Sequence, residues 1–143
     1  MYYDCTTNEH GLKHDPFKAI IAPRPIGWIS TVSEEGVLNL APYSFFNAVA
    51  ANPNYVMFST VNRKDSLKNI ESNGEFTCSI STWDTREGMN ISSAPVDHLA
   101  DEFALANLAT SPSQFVKPPR VARAPASFCL LYTSDAADDS GCV

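Results

Sequence analysis

A chain of 143 residues, 44% hydrophobic and 18% charged, has the length of one domain and is too apolar to remain disordered. Its formal charge of -6 gives no general attraction to phosphate backbones, so no nucleic-acid partner is expected and any bound anion must be held by a local cluster of donors. No stretch approaches the roughly 20 apolar residues that span a bilayer, and residues 1–14 have no apolar signal-peptide core. A cytoplasmic protein without a membrane partner is therefore expected. Cys5, Cys78, Cys129 and Cys142 are widely spaced with no C-x-x-C pair, and His10 and His14 have no evident third ligand. No metal site is expected.

In chain order, Asp15 before Pro16 predicts a capped short helix over residues 15–21. Pro23 and Pro25 hold the next residues extended. Residues 26–32 and 37–41 are β-branched and apolar around Ser33-Glu34-Glu35-Gly36, which predicts a β-hairpin. Residues 43–51 fit strand or helix equally; Asn52-Pro53-Asn54 then turns the chain into a strand over residues 55–61. Leu67 and Ile70 predict a short helix over residues 64–73, with Asp65 as cap and Asn73-Gly74 as stop. Alternation of Phe76, Cys78 and Ile80 with Thr77, Ser79 and Ser81 predicts a strand with one apolar face.

A further helix is expected over residues 84–91, where Asp84 and Glu87 have capping-box spacing, and another around Asp101-Glu102-Phe103-Ala104-Leu105. A proline-rich loop over 111–119 leads to a last strand over 121–128. This order argues for a β-rich α+β barrel rather than a doubly wound sheet.

Two stretches have the composition of a binding site. Asn62-Arg63-Lys64-Asp65-Ser66 sets two cations and a hydroxyl where a strand passes into a helix, whose N-terminal N–H groups and partial positive charge suit a phosphate. Each feature has a plain alternative, in which Asp65 caps the helix and the cations are solvated. Asn39-Leu40-Ala41-Pro42-Tyr43-Ser44-Phe45-Phe46-Asn47 mixes turn residues, hydroxyls and aromatics, as a flavin's flat ring and polar chain require, although such phenylalanines also suit a core. The chain has no G-x-S-x-G elbow, no G-x-G-x-x-G and no P-loop, so hydrolase, Rossmann and NTPase chemistry are unsupported.

Taken together, Ala22-Pro23-Arg24-Pro25-Ile26-Gly27-Trp28-Ile29-Ser30-Thr31, the 39–47 stretch, Lys64-Asp65-Ser66-Leu67-Lys68-Asn69-Ile70, Met89-Asn90-Ile91-Ser92-Ser93 and Asp101-Glu102-Phe103 closely resemble the flavin reductase-like family. The likeness runs over residues 15–128 and is specific in order and spacing. It implies an FMN-binding split β-barrel of Greek-key type with short flanking helices, of the flavoredoxin and flavin reductase kind. It also implies a homodimer with FMN near its interface. Ala41, Pro42, Tyr43, Ser44, Phe45, Phe46 and Asn47 would line the ring and ribityl chain, with Trp28 and Thr31 near the ring. Ser59, Thr60, Arg63, Lys64 and Ser66 would surround the phosphate, and Arg24 is a candidate contact without an assigned role.

The activity so implied passes electrons from NAD(P)H through flavin to an acceptor, either a protein or free flavin. The protein contributes orientation, hydrogen bonds and exclusion of water, and no catalytic acid or base is assigned. An FMN-binding electron carrier without its own NAD(P)H activity is the alternative of a different class.

From Cys129 the chain departs from the family pattern, which would continue after Phe128 with Glu-Cys and another alternating stretch. Residues 129–139 instead resemble a translated sequencing-library adapter. The expected organisation is a domain over 1–128, incomplete at its C-terminus, and a non-native tail over 129–143. A barrel so truncated would leave strand edges unpaired, which makes an inactive fragment the third reading.

Overall fold

The computed structural model describes residues 2–133, so the tail beyond Thr133 lies outside the described residues. Helix α1, Pro16–Ile20, starts as its sequence predicts: the Asp15 carboxylate accepts the Phe17 N–H at 3.0 Å, and Pro16 stands where a helix needs no donor. Strands β1 (Gly27–Val32) and β2 (Leu38–Tyr43) form the expected antiparallel hairpin, with Gly27 opposite Tyr43 and Val32 opposite Leu38. Gly36 closes its loop at φ 86°, a conformation open to glycine at little cost.

The ambiguous stretch proves to be strand. β3 (Phe46–Ala51) pairs with β4 (Asn54–Phe58), with a register shift between Ala48 and Ala50. β4 ends at Phe58, earlier than expected; the Ser59 N–H still donates to the Phe45 carbonyl at 2.9 Å, and the chain then turns toward α2 (Asp65–Asn73). Lys64, not Asp65, is the N-cap of α2, and Asp65 occupies the first turn. Gly74, at φ 72°, ends the helix by donating to the Ile70 carbonyl at 2.8 Å.

Next come β5 (Glu75–Ile80), a 3-10 turn over Trp83–Thr85, α3 (Arg86–Ile91) and the single turn α4 (Glu102–Leu105). The capping box before α3 uses Thr82 and Thr85 rather than Asp84 and Glu87. Asp101 caps α4 by accepting the Phe103 N–H at 2.8 Å. A short ladder of β6 (Thr110–Ser111) with β7 (Arg120–Val121) brackets the proline-rich loop. The last strand, β8, runs over Ser127–Leu131 instead of 121–128; residues 129–131 take part in its ladder with β5.

The main sheet is antiparallel in the order β2-β1-β5-β8, and the β3–β4 hairpin stands as a separate sheet. This order corrects the one-faced reading of β5. Phe76, Thr77, Cys78 and Ser79 are all buried, because β5 is interior in the sheet and both its faces are covered. One face carries a core of Trp28, Leu40, Phe103, Val121 and Ala124; the other carries Ile29, Tyr43, Ile70, Phe76 and Cys78. The polar residues of β5 are held by specific bonds: Thr77 donates to the Pro118 carbonyl at 2.8 Å, and Ser79 accepts the Val121 N–H at 3.2 Å. Burial pushes the Cys78 thiol up to about 11, so it behaves as a small apolar group.

Helix α2 is fastened across β1 and β2 by three side-chain amides. Asn39 donates to Ser66 Oγ at 2.8 Å, Asn69 to Thr31 Oγ1 at 3.0 Å and Asn73 to the Val32 carbonyl at 2.8 Å. The second hairpin is anchored by Phe46, whose ring lies against the bare Cα of Gly27; a Cβ there would stand 2.5 Å from Phe46 Cδ2. Gly27→Ala should therefore displace Phe46 and lower unfolding free energy by about 1–3 kcal/mol in a urea titration. An unchanged midpoint would mean that the ring is not held by this contact.

Candidate functional site

At the end of β4 the chain passes through Ser59 and Thr60 to the N-terminus of α2. Thr60 Oγ1 donates to the Asn62 carbonyl at 2.9 Å, and the Lys64 N–H donates to the same carbonyl at 2.8 Å, which shapes a tight approach to the helix. The Leu67 and Lys68 N–H groups both use the Lys64 carbonyl, while those of Asp65 and Ser66 have no partner among the described residues. These two donors, with the positive end of the helix, could hold a small anion, and this place is called the anion seat. The Lys64 side chain is exposed and in no ion pair among the described residues, whereas Arg63 is engaged with Glu71 and Lys68 reaches Asp65 at 3.0 Å.

Beside this seat, Phe45 connects the two hairpins. Its carbonyl accepts the Ser59 N–H, the residue is 37% exposed, and the Arg24 guanidinium lies 5.3 Å from the ring centroid. Ser44 is partly buried in the β2–β3 turn, and the exposed Asn47 turns its Oδ1 back to the Ala48 N–H at 3.0 Å. Ser44, Phe45, Asn47, Ser59, Thr60, Arg63 and Lys64 thus present surface along the path from β2 to α2.

Other residues expected in the site are committed to the interior. Trp28 is fully buried in the first core and donates Nε1–H to Ser92 Oγ at 2.9 Å. Thr31, also fully buried, accepts from Asn69, and Ser66, 1% exposed, accepts from Asn39. These three hydrogen bonds hold loops and helices to the sheet, so Trp28, Thr31 and the Ser66 hydroxyl, expected near the ring and phosphate, are already engaged inside the fold. The Ser66 backbone N–H remains available. Tyr43, Ala41 and Phe46 belong to the second core or pack against it, and Pro42 pairs with Trp28 across the ladder.

A cavity of about 590 Å³ lies alongside, walled by β4, α2, Phe76 and residues 131–133. Of the expected site residues it touches Ser59 and Thr60 alone. Neither β4 nor β8 pairs with a second strand among the described residues, so this space is the open seam between the hairpin and the main sheet.

The sequence matches the flavin reductase like domain over residues 21–138. The chain belongs to this family. Among relatives of this flavin reductase-like chain, an uncharacterised protein of Aquifex aeolicus is 41% identical over 119 residues, covering 79% of the chain and 61% of the relative. Nitrilotriacetate monooxygenase component B of Bacillus cereus superposes with TM-score 0.78 at 32% identity, covering 92% of the chain and 68% of that structure. A Shewanella frigidimarina structure of the flavin reductase type with a split barrel domain gives TM-score 0.79 at 18% identity, over 92% of the chain and 68% of that structure. The fold is thus the β-rich split barrel that the sequence motifs imply. The chain spans about 60% of the length of the curated relatives it matches first.

Sequence reasoning did not single out Glu102 as a structural element of this family fold. The residue is buried, 7% exposed, and its carboxylate accepts the Leu40 N–H at 3.0 Å on the outer edge of β2, where no strand pairs among the described residues. Burial raises its pKa; the Leu40 bond opposes this, and Asp101 and Asp65 add to it. A raised folded-state value means that stability is greatest with the group protonated and falls as pH rises from the ordinary carboxylate range through the folded value. Glu102→Gln keeps an acceptor for Leu40 and should remove that component, seen as a flatter difference in stability against pH. Glu102→Ala should cost about 1–3 kcal/mol at low pH, since the Leu40 donor is left unmet, and less as pH rises through the folded value. Equal pH profiles for Glu102→Gln and the parent would show that the carboxyl does not titrate with folding.

Proposed function

We propose that this chain is the FMN-binding part of a cytoplasmic NAD(P)H-dependent oxidoreductase of the flavin reductase type. The phosphate of FMN sits at the N-terminus of α2, and the ring lies along the turn that carries Ser44 and Phe45. One observation carries this reading: in a flavin reductase-like domain, the unpaired Lys64 ammonium and the free Asp65 and Ser66 N–H groups stand together beside Ser59 and Thr60. When bound, FMN supplies two-electron chemistry that no side chain of the protein can supply.

The chain's own residues bind and orient. Lys64 offsets the phosphate charge, and the helix N–H groups donate to phosphate oxygens. The Asp65 carboxylate, which would oppose an anion, is partly offset by Lys68. Phe45 offers an exposed apolar face. Val49, Tyr55 and Met57, respectively 56%, 45% and 50% exposed on the second hairpin, favour a second copy of the chain as the cover that keeps water from the flavin. Electrons then pass to free flavin or to an acceptor protein.

The test is an anaerobic mixture of FMN-loaded protein with NADH or NADPH. Bleaching of the flavin absorbance at a catalytic rate is the expected result. Bleaching only by a reduced partner protein would make this an electron carrier, and protein that stays colourless on FMN titration would overturn the reading. Lys64→Ala should weaken FMN binding by about 1.5–3 kcal/mol, tenfold or more in Kd, with an unchanged melting temperature. Equal dissociation constants for mutant and parent would remove Lys64 from the site.

A further inference from the structure

Between Glu102 and Asp135 the charged residues are Lys117, Arg120 and Arg123, all basic, in a chain whose formal charge is -6. Lys117 and Arg123 are exposed and Arg120 is half-buried, and their side chains enter no ion pair among the described residues. One carboxylate does bond to this segment: Glu75 accepts the backbone N–H of Lys117 at 3.0 Å, which leaves the Lys117 ammonium unpaired. Phe115, two residues before Lys117, is 79% exposed.

These side chains stand on a loop that is fixed at its base. β6 and β7 pair beneath it, Thr110 opposite Val121 and Ser111 opposite Arg120. The hydroxyls of Ser113 and Thr77 both donate to the Pro118 carbonyl, at 2.5 and 2.8 Å, and Pro112, Pro118 and Pro119 restrict the backbone between. Val116, Pro118, Val121 and Ala124 turn inward and are buried, which leaves Phe115, Lys117 and Arg123 on the outer side of the same segment. A single exposed apolar residue needs no explanation. A phenylalanine held out from a fixed loop among unpaired cations differs, because little ordering entropy remains to be lost when something binds it.

The chemistry that fits this face is apolar and acidic at once. Aromatic and arginine side chains are the groups that concentrate binding energy at protein interfaces. Nucleic acid and anionic bilayers are also negative, but they present that charge over an extended surface, which repels the rest of an acidic chain. At a lipid surface each cation would contribute only about 1 kcal/mol. We propose that the outer face of the loop over residues 112–123 docks a partner protein at an apolar pocket rimmed by Asp or Glu side chains. Phe115 enters the pocket, and Lys117, Arg120 and Arg123 face the rim. This inference does not depend on the FMN reading above.

A phage-displayed library of random short peptides, panned against the full chain, supplies the probe. The enriched peptides should carry carboxylates around an aromatic or branched apolar residue, and fluorescence anisotropy then measures their Kd. Phe115→Ser should raise that Kd about tenfold or more. The double variant Lys117→Gln, Arg123→Gln should raise it about threefold or more, with the difference from the parent shrinking as salt is added. Both variants should keep the parent's melting temperature, since the altered side chains are exposed. Phosphatidylserine vesicles and a single-stranded oligonucleotide, offered separately, should bind parent and Phe115→Ser alike. No enrichment, enriched peptides without carboxylates, affinities unchanged in either variant, or Phe115-dependent binding of the vesicles or the oligonucleotide overturns the proposal.

Discussion

Strand β1 is bonded to β2 on one side and to β5 on the other, and five of its six residues are buried, so the remaining elements take their positions from it. Trp28 belongs to one core, while Ile29 and the hydroxyl of Thr31 hold the other face. Of the buried hydroxyls of β1, Thr31 accepts from the Asn69 amide of α2, whereas Ser30 Oγ has no partner among the described residues. At the start of β1, the missing side chain of Gly27 admits the Phe46 ring and thereby joins the second hairpin to the main sheet.

The consequence for the site is a division of labour between neighbours in sequence. Ser66 turns its hydroxyl inward to receive Asn39, yet its N–H remains at the free end of α2. Phe46 is wedged against Gly27 while Phe45 keeps an exposed face. Arg63 is held by Glu71 and Lys64 is not. A surface ion pair such as Arg63–Glu71 contributes only about 0–1 kcal/mol to stability, so its main effect here is to fix where that charge points.

Much of the fold could be read directly from local chemistry. Asp15-Pro16, Asn73-Gly74 and the loop ending in Gly36 each act within a few residues, and the structure uses all three. Where competing local signals lay close together, the choice went astray. Thr82 and Thr85 took the capping box from Asp84 and Glu87, and Lys64 took the N-cap from Asp65. The one-faced reading of β5 failed for a different reason: alternation describes a strand with water on one side, and nothing in its six residues announces the cover that Pro118 and Val121 provide.

The order and spacing of the motifs, acting through short-range preferences and recognisable as a set, were enough to determine the family and the strand-rich split barrel. Tertiary packing alone decided which members of those motifs are buried and which are exposed. Trp28, Thr31 and the Ser66 hydroxyl went to the interior because distant partners, Ser92, Asn69 and Asn39, satisfy them there. Arg24 was left with an unmet donor because its neighbour across the fold is an aromatic ring. Whether a polar side chain is buried and paired, or left wanting an acceptor, depends on contacts between residues far apart in the chain, and a linear pattern does not record them.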